Sequence, residues 1–242
     1  MTKKVKALIL AAGYGTRLKP YTNKLPKCLI KIGSKPLLSY WLDSLDNLAC
    51  NSVLINTHYK SEDVLKFISD LNYKKMTIKT TYEKNLLGTA GTLIRNIDNF
   101  EDDEIILMHA DNFSFVNLEN LLNAHKNRNK DTLLTMLTFK SNNPSSCGIV
   151  CKNEEGVMTS FHEKISNPPG NCANGAIYVL SKDFVDWLMT NKPKAVDFSK
   201  DVLPYLNGLV QTWHTDLSYI DIGTPQTLLE ARNLFKKHKN YE

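Results

Sequence analysis

Over its first 130 residues the chain alternates short, uninterrupted apolar runs with segments of helical period. "VKALILA" (5–11), "SVLINTHY" (52–59), "MTIKTTY" (76–82) and "EIILMHAD" (104–111) read as strands, the first a continuous apolar run that suits burial on both faces. Between them, "PLLSYWLDSLDNLAC" repeats Leu37, Leu38, Trp41, Leu42 and Leu45 at helical spacing. "SEDVLKFISDL" offers Ser61 as a cap, and "TAGTLIRNI" and "LENLLNAHKNR" complete the series. Strands that alternate with helices have few packed solutions. The pattern predicts an α/β fold, a Rossmann-like, mostly parallel sheet with helices on both faces.

From Thr132 the rhythm changes. "TLLTMLTF", "GIVCKN", "VMTSFHEK" and "GAIYVLS" follow one another with little helical pattern between them, which predicts a mixed, partly antiparallel C-terminal half. Then come the helical "SKDFVDWLMT", the strand-like "LVQTWHT" and "LSYIDIG", and a last helix, "TPQTLLEARNLFKKH", with Thr224 as cap and Pro225 at its first position. No repeat, linker or low-complexity tract interrupts the chain. One domain over 1–242 is expected, with halves at about 1–130 and 131–242.

Composition excludes several classes. With 42% hydrophobic and 23% charged residues the chain is neither disordered nor fibrous. No apolar run approaches the roughly 18 residues of a membrane span, and the lysine-led "MTKKVKALILAAG" is too short in its apolar part for a signal peptide. Five scattered cysteines without a C-x-x-C predict free thiols in a reducing cytoplasm rather than disulfides or zinc. A net charge of +5 suits phosphorylated substrates; nucleic-acid binding would call for interleaved aromatics on a dense basic face, and neither is present.

The first apolar run leads directly into "AAGYGTRLKPYTNKLPK". A strand, a glycine turn and a helical start can aim backbone amides at an anion. Gly13 and Gly15 supply the turn, and Arg17 and Lys27 supply charge and donors. The spacing is neither G-x-G-x-x-G, since position 18 is Leu, nor a Walker loop, so spacing alone predicts only an anion site.

The longer string "LAAGYGTRLKPYTNKLPK" resembles the signature loop of the sugar-1-phosphate nucleotidyltransferases, matching it at Gly13, Gly15, Thr16, Arg17, Leu18, Pro20, Thr22, Pro26 and Lys27. Within that family the chain looks most like the mannose- and heptose-1-phosphate guanylyltransferases. The resemblance implies the nucleotide-diphospho-sugar transferase fold. It implies that Leu10, Ala12, Gly13, Gly15 and Thr16 line the nucleotide, that Arg17 grips the β- and γ-phosphates, and that Lys27 sits at the α-phosphate. "NLLGTAGTL" looks like the segment that reads base and ribose, with Gly88 and Thr89 at its turn. Glu83, just upstream, is a carboxylate that only accepts hydrogen bonds when ionised, which suits the adjacent N1–H and N2–H2 donors of guanine.

Asp111 ends an apolar strand, where ligands of open α/β sheets bind, and Asp221 precedes the capped last helix. In the family these two positions hold a divalent cation; one or two Mg2+ ions on two carboxylates and phosphate oxygens is adequate chemistry. "FHEKISNPPGNCANGAIYVLS" resembles the sugar-phosphate elements. It assigns sugar hydroxyls to Glu163, the sugar phosphate to Lys164, and the pocket wall to Asn174, Gly175 and, from "SSCGIV", Gly148. Three departures stand out: Ile165 where Pro is usual, Asn-Gly-Ala for Asn-Ala-Gly, and Cys147 where an aromatic residue is common.

The implied reaction joins an NTP to a sugar 1-phosphate with release of pyrophosphate, for nucleotide-sugar and polysaccharide biosynthesis. It needs positioning and charge neutralisation more than a general base. No Ser-His-Asp or Cys-His arrangement is evident, and none of the six histidines is assigned a catalytic role. The alternatives are UTP-, dTTP- or CTP-dependent transfer to glucose 1-phosphate or to another acceptor such as phosphocholine, and an inactive regulatory subunit. The last would be expected to lack Arg17, Lys27 or one of the aspartates, and all are present. NTP and sugar 1-phosphate are the expected partners, without nucleic acid or membrane, in a monomer or homodimer. Longer relatives append a β-helix; the chain stops near its last helix, so acyl transfer is not expected.

Overall fold

The computed structural model describes residues 4–100 and 103–239. The first three residues of the lysine-led N-terminal stretch lie outside the described residues. The strands β1 (Val5–Leu10), β2 (Lys31–Ile32), β3 (Lys35–Pro36), β4 (Ser52–Thr57), β5 (Thr77–Tyr82), β6 (Glu104–His109) and β7 (Asn112–Ser114) come first. They are followed by β8 (Leu134–Lys140), β9 (Gly148–Lys152), β10 (Met158–Glu163), β11 (Cys172–Leu180), β12 (Val210–Thr215) and β13 (Tyr219–Asp221). The helices are α1 (Leu37–Asn47), α2 (Ser61–Ser69), α3 (Thr89–Arg95), α4 (Leu118–Lys126), α5 (Lys182–Asn191) and α6 (Pro225–Lys239). As the alternation predicts, the fold is α/β, with a mostly parallel central sheet to which antiparallel strands are added. Among the described residues no helix is long and apolar enough to cross a membrane.

The described residues form two compact units, each assembled from separated stretches of chain. The first comprises the described residues up to Leu8, with Leu87–Met108 and Val116–Leu217. Its strand order is β10-β9-β11-β6-β1, with β8 pairing β11 and β12. β11 runs antiparallel to β6, β8 and β9, while β12 is parallel to β8. β6 explains its own composition: Ile105, Ile106, Leu107 and Met108 are all fully buried, so both faces must be apolar. Ser181 accepts from the amide of Phe184 to cap α5, and Asn117 caps α4 through the amide of Glu119.

The second unit comprises Ile9–Leu86, His109–Phe115 and the described residues from Ser218 onward. β4 and β5 pair in parallel, from Ser52 opposite Thr77 to Thr57 opposite Tyr82. β13 does not join a large sheet. It makes a separate antiparallel ribbon with β7, in which Asp221 stands opposite Asn112. α6 buries Leu228 and Ala231 against Leu18, Ile30, Ile32, Leu37, Phe113 and Ile222. At about 1.5–3 kcal/mol per buried large apolar side chain, this cluster binds the last helix firmly to the turns that follow β1.

Two local expectations are resolved here. Thr224 does cap α6, accepting from the amide of Thr227, and Pro225 opens it. Ser61 does not cap α2: it is the first helical residue, and Lys60 in left-handed geometry (φ 50°) stands at the cap, its carbonyl accepting from the amide of Asp63.

Candidate active site

In the second unit the residues after β1 leave the sheet and turn three times as short 3-10 segments, Thr16–Leu18, Tyr21–Asn23 and Lys27–Leu29. Gly15 has φ 63°, and a Cβ there would lie 2.8 Å from Cγ2 of Thr22. Glycine is therefore required by the turn itself. Its carbonyl accepts from the amide of Leu18 and from the hydroxyl of Thr22, both at 2.9 Å. Gly13 differs: its φ is not left-handed, and a Cβ would meet nothing within 4 Å. Neither backbone geometry nor packing within the fold requires glycine at 13. Leu10 ends β1, its carbonyl taking the amide of Ala110. Ala12 is buried and Thr16 is exposed.

Lys27 stands at the start of the third turn with its side chain 12% exposed. Its ammonium lies 2.5 Å from Oδ2 of Asp111 and 3.8 Å from Oδ1 of Asp221. The β7–β13 ribbon brings the two aspartates to it. Asp111 immediately precedes β7, Asp221 ends β13, and the amide of Ile222 donates to the Asp111 carbonyl at 2.9 Å. Trp41, buried in α1, donates its indole N–H to the carbonyl of Asn112 and fixes the ribbon from below. Arg17 is exposed, and its guanidinium passes so close to Gly223 that a Cβ there would sit 3.2 Å from Nη2.

The two carboxylates differ in electrostatic environment. Burial pushes the Asp111 carboxyl up, but Lys27, then His109, outweigh it and hold the group below its ordinary range. Desolvation and then the charge of Asp111 push Asp221 up, more than Lys27, His109 and Arg17 pull it down. Solvent screens that push, since the Asp221 side chain is 62% exposed. The pair thus carries more negative charge than one ammonium satisfies. Among the described residues no three His, Cys, Asp or Glu side chains could together hold a metal. Asp111 and Asp221 form a two-carboxylate site of hard oxygens, which fits an ion that takes its other ligands from phosphates and water.

Glu83 follows β5 in the same unit and is 4% exposed. Its Oε1 accepts from Nδ2 of Asn56 at 2.9 Å, and Oδ1 of Asn56 accepts from the amide of Ala11 at 2.7 Å. Asn56 escaped the sequence reading; its only signal is a polar residue inside the apolar strand "VLIN".

The remaining predicted residues belong to the first unit, described by itself. β9 and β10 pair Gly148 with Glu163, and a Cβ on Gly148 would lie 2.5 Å from the Phe161 ring and 2.7 Å from Oε2 of Glu163. Lys164 has φ 51°, donates its amide to the Cys147 carbonyl, and sets its ammonium 3.1 Å from Glu163. Asn174 lies on β11, one residue from the pairing of Ala173 with Ile149 on β9. Its Oδ1 accepts from the amide of Ala176, and its Nδ2 donates to the buried hydroxyl of Tyr178 at 2.7 Å. Burial raises the Tyr178 hydroxyl well above its usual range. The β8–β11 register shifts between Asn174 and Tyr178; there Gly175 is buried and Ala176 takes φ 52°. Gly88 and Thr89 open α3. Gly88 packs on Val196, whose carbonyl lies 2.4 Å from where a Cβ would stand and accepts from the amides of Ala90 and Gly91. Thr89 accepts from the amide of Phe198, at the start of a π-turn (Phe198–Val202) that no sequence pattern announced. Internal packing already accounts for glycine at 88.

The second unit thus holds a glycine turn with Arg17 beside it, and a lysine between two aspartates. The chain belongs to the nucleotidyl transferase family, whose model matches residues 6–238. It is 29% identical over 236 residues to the mannose-1-phosphate guanylyltransferase catalytic subunit beta of Drosophila melanogaster, a match covering 95% of this chain and 62% of that protein. The chain thus spans less than two thirds of that relative's length. Among solved structures, HddC from Yersinia pseudotuberculosis complexed with GMP-PN superposes with a TM-score of 0.77 at 23% identity, covering 95% of this chain and 99% of that one. A Bacillus anthracis protein assigned as a glucose-1-phosphate thymidylyltransferase superposes with a TM-score of 0.85 at 20% identity, covering 95% and 94%.

Proposed function

We propose that the chain transfers a nucleoside monophosphate from an NTP, GTP preferred, to a sugar 1-phosphate, mannose- or heptose-1-phosphate preferred, and releases pyrophosphate. The observation that carries the class is Lys27 set between Asp111 and Asp221, in the unit that also holds the glycine turn and Arg17. The preference for GTP and mannose 1-phosphate leans on the name of the fruit-fly relative. The two superposed structures, below 25% identity, speak to the fold alone and do not decide between guanine and thymine. Glu83 agrees with guanine: as a carboxylate it accepts from N1–H and N2–H2 and repels the flanking carbonyls of uracil and thymine.

In this reading a phosphate oxygen of the sugar 1-phosphate attacks the α-phosphorus. A P–O bond forms there, the bond to the bridging oxygen breaks, and pyrophosphate leaves with the electron pair. The nucleophile is already ionised near neutral pH, so no side chain must take a proton. Arg17 stabilises charge that accumulates on the leaving phosphates, and Lys27 does so at the α-phosphoryl. Asp111 and Asp221 are the residues that would hold Mg2+, which when bound neutralises phosphate charge. Glu163 is assigned to the sugar hydroxyls, Lys164 to the sugar phosphate, and Asn174 with Gly175 to the wall of the sugar pocket. The five cysteines, all free thiols, suit a cytoplasmic enzyme.

The test is a matrix of GTP, CTP, UTP and dTTP against mannose-, heptose- and glucose-1-phosphate, read by pyrophosphate release with Mg2+ present. GTP with mannose- or heptose-1-phosphate should give the highest rate. Faster turnover of another nucleotide with every sugar would overturn the guanine reading. No release above background in any cell of the matrix would overturn the activity.

A further inference from the structure

Two hydrogen-bond chains of the same design join residue 83 to the glycine turn. The first runs from the Glu83 carboxylate through Asn56 to the amide of Ala11. The second starts from the Glu83 backbone. Its amide donates to the carbonyl of Thr57 at 2.9 Å, and its carbonyl faces Nδ1 of His58 at 2.7 Å. A carbonyl can only accept, so Nδ1 carries the proton and, in the neutral ring, Nε2 is the acceptor. Nε2 lies 2.8 Å from the hydroxyl of Tyr14, the residue between Gly13 and Gly15. Asn56 is the next-to-last residue of β4 and His58 directly follows that strand, so the two chains start from neighbouring positions.

The Tyr14 ring is held as well as its hydroxyl. It meets His58 edge-on at 5.1 Å and lies 5.7 Å from Tyr59, whose own hydroxyl donates to the carbonyl of Thr22. Gly15 on one side and Gly13 on the other give the turn little rigidity of its own. Yet Tyr14 is 48% exposed, so burial alone does not hold it there. From this geometry we infer that Tyr14 and His58 form a latch. They are positioning residues that hold the glycine turn in the shape that receives the NTP phosphates, and they tie that shape to residue 83, where the base is read. The latch rests on the nucleotidyltransferase reading for its ligand, but the ordering of the turn does not.

Tyr14→Phe keeps the ring and deletes one hydrogen bond. It should raise KM for the nucleotide by about 3- to 10-fold, the scale of one net hydrogen bond, with kcat within about twofold. Hydrogen exchange at the amides of 13–16 should quicken in the protein without substrates. His58→Phe, which also loses the bond to the Glu83 carbonyl, should cost at least as much, and Tyr14→Phe with His58→Phe should cost no more than His58→Phe alone. His58→Gln, whose carboxamide can donate to the Glu83 carbonyl and accept from Tyr14, should recover most of the loss. Wild-type KM and wild-type exchange in Tyr14→Phe would overturn the latch. So would a fall in kcat at unchanged KM, or strict additivity in the double variant. Should His58→Phe fail to fold, the half-exposed Tyr14→Phe still decides the matter. Should the wild-type protein prove inactive on every NTP, the proposed function fails and the exchange measurement still tests the latch.

Discussion

Replacing Lys27 by methionine is the sharpest test of the charge arrangement at the two aspartates. Methionine keeps the apolar stem and removes the ammonium, leaving Asp111 and Asp221 facing each other with no cation from Lys27. Removing one partner of a fully buried pair costs about 3–5 kcal/mol, and an exposed pair is worth about 0.2–1 kcal/mol. Here Lys27 is 12% exposed, but Asp111 and Asp221 are 30% and 62% exposed. The cost should fall between those limits, about 1–3 kcal/mol, or a drop in Tm of roughly 2–10 °C for a chain of this size. Thermal unfolding followed by circular dichroism reads this directly. Repeating it with Mg2+ should restore more stability to Lys27→Met than to wild type, because the ion no longer competes with an ammonium and binding favours the folded state. Pyrophosphate release should fall by about 100-fold or more, the scale of losing one preorganised charge. A Tm within 1 °C of wild type, or the same Mg2+ increment in both proteins, would refute the charge argument, whatever happened to activity.

Arg17→Ala should lower kcat/KM by about 100-fold with little change in Tm, since the side chain is exposed; activity within a few-fold of wild type would remove Arg17 from the phosphate site. Asp221→Asn relieves repulsion from Asp111, so its Tm should stay level or rise slightly while pyrophosphate release collapses; a clear loss of stability would contradict the electrostatic account. Glu83→Gln should relax selection toward UTP and dTTP in the nucleotide matrix, and unchanged GTP preference would remove Glu83 as base reader. Burial pushes the thiols of Cys28 and Cys50 to about 12. A thiol titration of native protein at pH 8 should therefore count at most three of five cysteines, and four or more would contradict the packing around them.

What the sequence reveals and what it hides follow from the range of the interactions. β1, β4, β6 and the capped α6 were legible because each carries its signal locally, in a run of apolar residues or a Thr-Pro start. The family loop was legible as a string. The β7–β13 ribbon was not: three-residue strands have no periodicity, and "YIDIG" reads as an ordinary strand until the Asn112–Asp221 pairing is seen. The same holds for Asn56 and His58, whose roles exist only through residues far away in the chain. Val196 also emerged only in three dimensions, as the backbone carbonyl that meets the start of α3 and makes glycine necessary at 88.

The seating of α6 on Leu18, Ile30 and Ile32 also orders events during synthesis. A nascent chain that has emerged only as far as Leu217 possesses Arg17, Lys27 and Asp111, but neither the ribbon partner that carries Asp221 nor the helix that supports the turns. Those turns emerge directly after β1 and must wait, unsupported, for α6. Closing so long a loop is slow, and apolar residues such as Ile30 and Ile32 remain uncovered until then. The unit that holds the glycine turn is thus completed only once α6 has emerged, and a product truncated at Leu217 carries Arg17, Lys27 and Asp111 without Asp221 beside them.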